Sequence, residues 1–198
     1  MEISLGFSWC FPPRSIRGWS FFLLGEKGSI KNKEIWNDTT KSKLWLYHIH
    51  YLHDLNAKNS DSRLYSNQVL IDHWLRNNPP LDGVAWEPYP LSLRIVNLVK
   101  WFSKHSETVT DEYLISLELQ AQASRQQIEY HILGNHLFVN AKALVFVGAY
   151  LEGDKAENWL NKGLEILDRE INEQFLMDGG ILNYLLCTMQ IYYGIFAI

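Results

Sequence analysis

Residues 126–152, QQIEYHILGNHLFVNAKALVFVGAYLE, leave the chain little freedom of local structure. Ahead of and into this stretch, Leu117, Leu119, Ala121, Ile128 and Ile132 keep a helical period, so a helix is expected to run to Leu133 and stop at Gly134. Glycine enters the left-handed conformation that ends a helix without the steric cost of a Cβ. Asn135 then stands where an N-cap is wanted, its side-chain oxygen able to accept an orphan amide of the next turn for about 1 kcal/mol. The following helix, residues 137–151, carries Leu137, Phe138, Ala141, Leu144, Val145, Gly148 and Ala149 on helical spacing. His136 lies one turn before Asn140, which puts both on one face of a helix start, where the aligned peptide dipoles favour an anion. Spacing alone allows either a capping Asn beside a polar corner or a functional pair.

The rest of the chain reads as further helices around this corner. Residues 1–40 lack helical periodicity and contain Pro12-Pro13, so an irregular arm with one short strand is expected. From Ser42 onward, Leu44, Trp45, Tyr47, His48, Tyr51, Leu52 and Leu55 form an apolar and aromatic stripe. His48, His50 and His53 share that segment, but without a carboxylate at metal-ligand spacing they read as packing or solvated side chains. No metal site and no cofactor are expected. A second helix covers residues 67–76 and stops at Asn77-Asn78-Pro79-Pro80. A third, residues 91–105, follows a loop carrying Trp86, Glu87 and Tyr89, and Glu87 and Arg94 could pair across its start. Thr110 caps a fourth, and residues 156–176 form a sixth whose Asp168, Glu170 and Glu173 are expected to lie on its solvated face.

Composition removes several functions. A net charge of −4 argues against nucleic acid as a partner. A polyanionic ligand would need a local basic groove, for which Arg94, Arg125 and Lys142 are the candidates. Eight tryptophans and ten tyrosines could stack on sugar rings, but packing between helices is the simpler expectation. Cys10 and Cys187 suggest no disulfide framework. Phe21 to Leu24 is too short an apolar run to span a bilayer, and no membrane partner is expected. Glu2 sits where a signal peptide needs positive charge, so a cytoplasmic or undetermined address is the expectation.

Three segments, in order, carry a resemblance. Trp86-Glu87-Pro88-Tyr89-Pro90-Leu91-Ser92-Leu93-Arg94-Ile95-Val96-Asn97 comes first, then Tyr130-His131-Ile132-Leu133-Gly134-Asn135-His136-Leu137-Phe138-Val139-Asn140-Ala141-Lys142-Ala143-Leu144, then Asp178-Gly179-Gly180. Together they resemble the heparinase II/III-like polysaccharide lyases, from about Trp36 to Gly180. The resemblance implies an all-α chain forming an incomplete (α/α) toroid of antiparallel helical hairpins over residues 41–180, behind the irregular arm of residues 1–40. It implies an acidic, uronate-containing polysaccharide as partner and β-elimination as the reaction. Asn135 and His136 would neutralise the sugar carboxylate, and Arg94, Trp86, Tyr89 and Asn140 would contact the sugar. Many lyases of this kind are exported.

After Gly180 the last 18 residues, ILNYLLCTMQIYYGIFAI, carry no charge. A membrane span, an apolar final helix and a shifted reading frame all fit. Codons permitted for residues 181–198, read in a neighbouring frame, yield HFELSPMYHANILWDFCN, which resembles the family's continuation with its Ser-Pro-Met-Tyr-His motif. The expectation is therefore a frameshifted tail over residues 181–198, with the family's catalytic tyrosine replaced near Thr188 and the chain inactive on its own. The alternative is a non-catalytic carbohydrate-binding or interaction scaffold.

Overall fold

The computed structural model describes residues 14–132 and 135–174, and the expectations placed on Gly134, on Thr188 and on the tail lie outside them. The chain is mostly helical. The arm is more ordered than expected, holding a three-stranded antiparallel meander of β1 (Ile16–Arg17), β2 (Ser20–Leu23) and β3 (Glu26–Ser29) where one strand was anticipated. Strand β2 alternates as a half-buried strand must, with Phe21 buried and Phe22 exposed. Its turn to β3 places Leu24 and Gly25 at φ of 50° and 81°, the two positive values a tight hairpin requires. Asp54 anchors the sheet to the helical body, its buried Oδ1 accepting from the amides of Ser15 at 2.7 Å and Ile16 at 3.0 Å, with Arg63 paired to its other oxygen.

Among the described residues six α-helices follow: α1 (Lys43–His50), α2 (Leu64–Asn77), α3 (Pro88–Lys104), α4 (Asp111–Gln126), α5 (Asn135–Tyr150) and α6 (Asp154–Gln174). The starts follow local chemistry. Ser42 Oγ accepts from the Trp45 amide at 3.2 Å, and Thr110 Oγ1 from that of Tyr113 at 3.4 Å. Pro88 sits at the first position of α3, where its missing amide costs nothing. Helix α4 is shorter than its apolar period suggests, ending at Gln126 rather than Leu133.

Helix α5 packs chiefly against α6 and then against α3. The α5–α6 contact depends on two glycines, because a Cβ on Gly148 would stand 2.5 Å from the Leu160 amide nitrogen, and one on Gly163 would stand 2.7 Å from the Ala141 carbonyl. The aromatic richness is mainly core: Trp36, Trp45, Trp74, Trp86, Trp101 and Trp159 are all at most 4% exposed, whereas Trp19 is 44% exposed. Among the described residues, no helix is long and apolar enough to cross a membrane, and no group of His, Cys, Asp and Glu is placed to hold a metal ion. Glu170 departs from the solvated face expected of α6, since it is buried, with Arg169 3.4 Å away.

Candidate active site

The first turns of α3 and α5 and the segment 127–132 meet at one place. Asn140, one turn into α5, is 1% exposed and its amide is fully engaged. Its Oδ1 accepts from the Glu129 backbone amide at 2.9 Å, and its Nδ2 donates to Ser92 Oγ of α3 at 3.1 Å and toward Glu129 Oε2 at 3.5 Å. The same Glu129 oxygen lies 3.1 Å from Nδ1 of His136. The His136 ring stacks obliquely on Tyr89, with centroids 4.5 Å apart. Asn135 opens α5 beside it, partly exposed.

This arrangement explains why α4 stops early. The Glu129 amide, which a longer helix would spend on its own ladder, is taken by the Asn140 side chain instead, so the chain leaves the helix and delivers the Glu129 carboxylate under His136.

From Tyr89 an aromatic strip continues to Tyr51, at 6.1 Å between centroids, and Tyr51 is flanked by His48 at 5.0 Å and His53 at 5.1 Å. Burial lowers His48, and burial together with His48 and Lys100 lowers His53 to about 4, so both imidazoles are neutral near pH 7. Burial also lowers Lys100, and burial with Lys100 nearby brings Lys142 to about 7. Both ammonium groups approach the Phe146 ring, at 5.7 and 5.5 Å from its centroid.

The sequence-predicted residues divide. Tyr89, His136 and Asn140 come together, with Asn140 acting from inside the protein rather than at its surface. Arg94 and Trp86, expected at the sugar, are placed in the core. Arg94 is fully buried, donating through Nε to Gln120 Oε1 at 2.8 Å and through Nη1 to the His50 carbonyl at 3.4 Å. Its guanidinium lies 4.0 Å from the Trp74 ring centroid and 6.0 Å from that of Trp86. The anticipated Glu87–Arg94 pair does not form. Glu87 instead accepts from the Tyr47 hydroxyl and pairs with Lys43 at 2.8 Å, while burial and then the Glu87 contact push the Tyr47 phenol up to about 12. Arg125 lines a different groove, between the end of α4 and the start of α6, with Lys155 and Trp159.

Sequence reasoning missed Glu129, Ser92, Tyr51 and Lys100. No periodicity marks Glu129, because it stands outside any helix, and Ser92 is an ordinary polar residue until α5 lies over it.

Comparison with known proteins bears directly on the segments that build this site. The chain is 35% identical over 118 residues to a heparin-sulfate lyase of Bacteroides thetaiotaomicron, covering 54% of this chain and 17% of that protein. It is 30% identical over 114 residues to a heparin-sulfate lyase of Bacteroides stercoris, covering 55% and 17%. A heparin-sulfate lyase of Pedobacter heparinus is 28% identical over 116 residues, covering 54% and 18%. The chain thus spans under a fifth of the length of these relatives. No solved structure matches it. The family model described as Heparinase II/III N-terminus matches residues 33–195, which take in α1 to α6 and both helix starts that meet at Glu129, and the chain therefore belongs to the heparinase II/III family.

Proposed function

We propose that this chain is the N-terminal helical portion of a polysaccharide lyase that cleaves a uronate-containing glycan by β-elimination, its six helices forming an arc of an (α/α) toroid. The carrying observation is the half-open cluster of Tyr89, His136, Glu129 and Asn140 at the start of α5. In such a reaction the sugar carboxylate must be neutralised so that the adjacent C5 proton becomes acidic, a base removes that proton, and the 4-linked leaving group departs with proton donation. Asn135 and His136 serve the first step, hydrogen-bonding the carboxylate where the dipole of α5 favours negative charge. Tyr89 gives the sugar an aromatic face beside His136. Lys100, partly exposed, supplies the local cationic character that a polyanion needs on a chain of net charge −4, with Lys142 buried and about half discharged near pH 7. The heparin-sulfate lyase names of its relatives favour a glycosaminoglycan as the glycan.

On this reading the chain alone is inactive, since residues 181–198 carry Thr188 where the family's tyrosine is expected, and a threonine hydroxyl is too weakly acidic for proton transfer. Two measurements test it. Incubation with heparan-type and alginate-type polymers, followed through the ultraviolet absorbance of unsaturated uronate, is expected to show no turnover; turnover would overturn the account of the tail. Sequencing the nucleotides around codon 181 is expected to reveal the alternative frame. The protein made in that frame should then cleave a polyuronate and lose the activity in Asn135→Ala or His136→Ala. Full activity in both variants would remove these residues from the mechanism.

A further inference from the structure

Glu129 does more than fill the space beneath the helix start. It is 8% exposed, yet its carboxylate contacts a ring whose side chain is 29% exposed, so it joins the interior to the surface through one imidazole. The segment carrying it is not held by helical geometry. It is fixed by the bond from its own amide to Asn140 Oδ1 at 2.9 Å, while Asn140 Nδ2, tied to Ser92 Oγ at 3.1 Å, points to the same carboxylate oxygen that His136 meets. Asn140 thus grips Glu129 at both backbone and side chain, and Tyr89 limits rotation of the His136 ring from the other side.

We propose that Glu129 is a positioning residue that fixes the proton of His136 on Nδ1, so that Nε2 is the ring atom whose proton is exchanged with the ligand. A carboxylate only accepts, and the atom 3.1 Å from it is therefore the one that carries hydrogen in either charge state of the ring. With the ring charged, Nε2–H donates to an anionic group such as a sugar carboxylate, and Glu129 supplies the compensating charge behind it. With the ring neutral, Nε2 is an acceptor. The assignment rests on the lyase reading for its use, but the proton position itself does not need a substrate to be measured.

The test is a two-bond proton–nitrogen correlation spectrum of the imidazoles in the full chain, at a pH where they are neutral, with His136 assigned by its disappearance in His136→Gln. The expected result is a protonated Nδ1 and an unprotonated Nε2 for His136. Glu129→Gln, which keeps the shape and removes the obligate acceptor, should shift the ring toward the Nε2–H tautomer or a mixture, and Glu129→Asp should restore part of the Nδ1–H population. An Nε2–H tautomer in the unsubstituted protein would overturn the proposal, even if Glu129→Gln fails to fold. So would an unchanged tautomer in a Glu129→Gln protein whose circular dichroism matches that of the parent. The expected tautomer together with no polyuronate cleavage by the protein made in the alternative frame would count against the proposed function alone.

Discussion

Arg94 and Glu129 are both charged residues withdrawn from water, and the protein treats them in opposite ways. Arg94 is closed on every side, with Trp74 against its plane, Gln120 accepting from Nε, the His50 carbonyl accepting from Nη1, Nη2 without a partner among the described residues, and no exposed surface. Around it His50 donates through Nε2 to the Trp36 carbonyl at 2.8 Å and accepts at Nδ1 from Trp74 Nε1 at 3.1 Å, so its neutral tautomer is fixed by two partners. Glu129 is equally well held by Asn140, but its remaining contact is with a half-buried imidazole at the surface. The first knot uses polar groups to join α1, α2, α3 and α4. The second uses them to aim one side chain outward. Residue type does not distinguish them; what decides is whether the last partner in the network faces protein or solvent.

The comparison breaks first at Arg94. Arg94→Ala removes a large buried side chain and strands Gln120 and the His50 carbonyl, at a cost of about 3–5 kcal/mol. Chemical denaturation followed by circular dichroism measures it, and a loss under about 1 kcal/mol would show that the knot is not structural.

Next is acid sensitivity. Burial, then the nearby Arg94 charge, depress His50 to about 3. A histidine whose folded value lies below its unfolded value of about 6.5 binds fewer protons folded than unfolded between those limits, so stability rises with pH there and falls on acidification. Between pH 7 and pH 4 roughly 3 kcal/mol should disappear on this account. The pH dependence of the urea midpoint tests this, and His50→Gln should remove the His50 share of it while leaving that of His53.

The smallest effect on folding should come from the exposed knot. His136→Ala is expected to cost about 1 kcal/mol or less, because the ring is only half buried and Glu129 keeps its contact with Asn140. A loss as large as that of Arg94→Ala would make His136 a structural residue and erase the distinction.

Much of this was legible in one dimension. Ser42, Thr110 and Pro88 mark their helix starts because capping and proline placement depend on a few neighbouring residues. The close α5–α6 approach is latent in Gly148 and Gly163, and the placing of two polar side chains on one face at the corner could be read from His136 and Asn140 standing one turn apart. The partners could not. Glu87 and Arg94 are neighbours across a helix start, yet one turns to Tyr47 and Lys43 while the other enters the core, since Trp74 and Gln120 come from distant segments.

Local sequence therefore determined the helices, their caps and the apolar face of each, because those properties arise within a few turns of one chain. Only the tertiary structure decided that α4 ends at Gln126, that Asn140 lies inside and that Glu129 sits beneath His136. The reason is physical: a buried amide, carboxylate or guanidinium must find its hydrogen-bond partner wherever packing puts one, and Ser92, Glu129 and Asn140 become partners only when α3 and α5 are laid side by side.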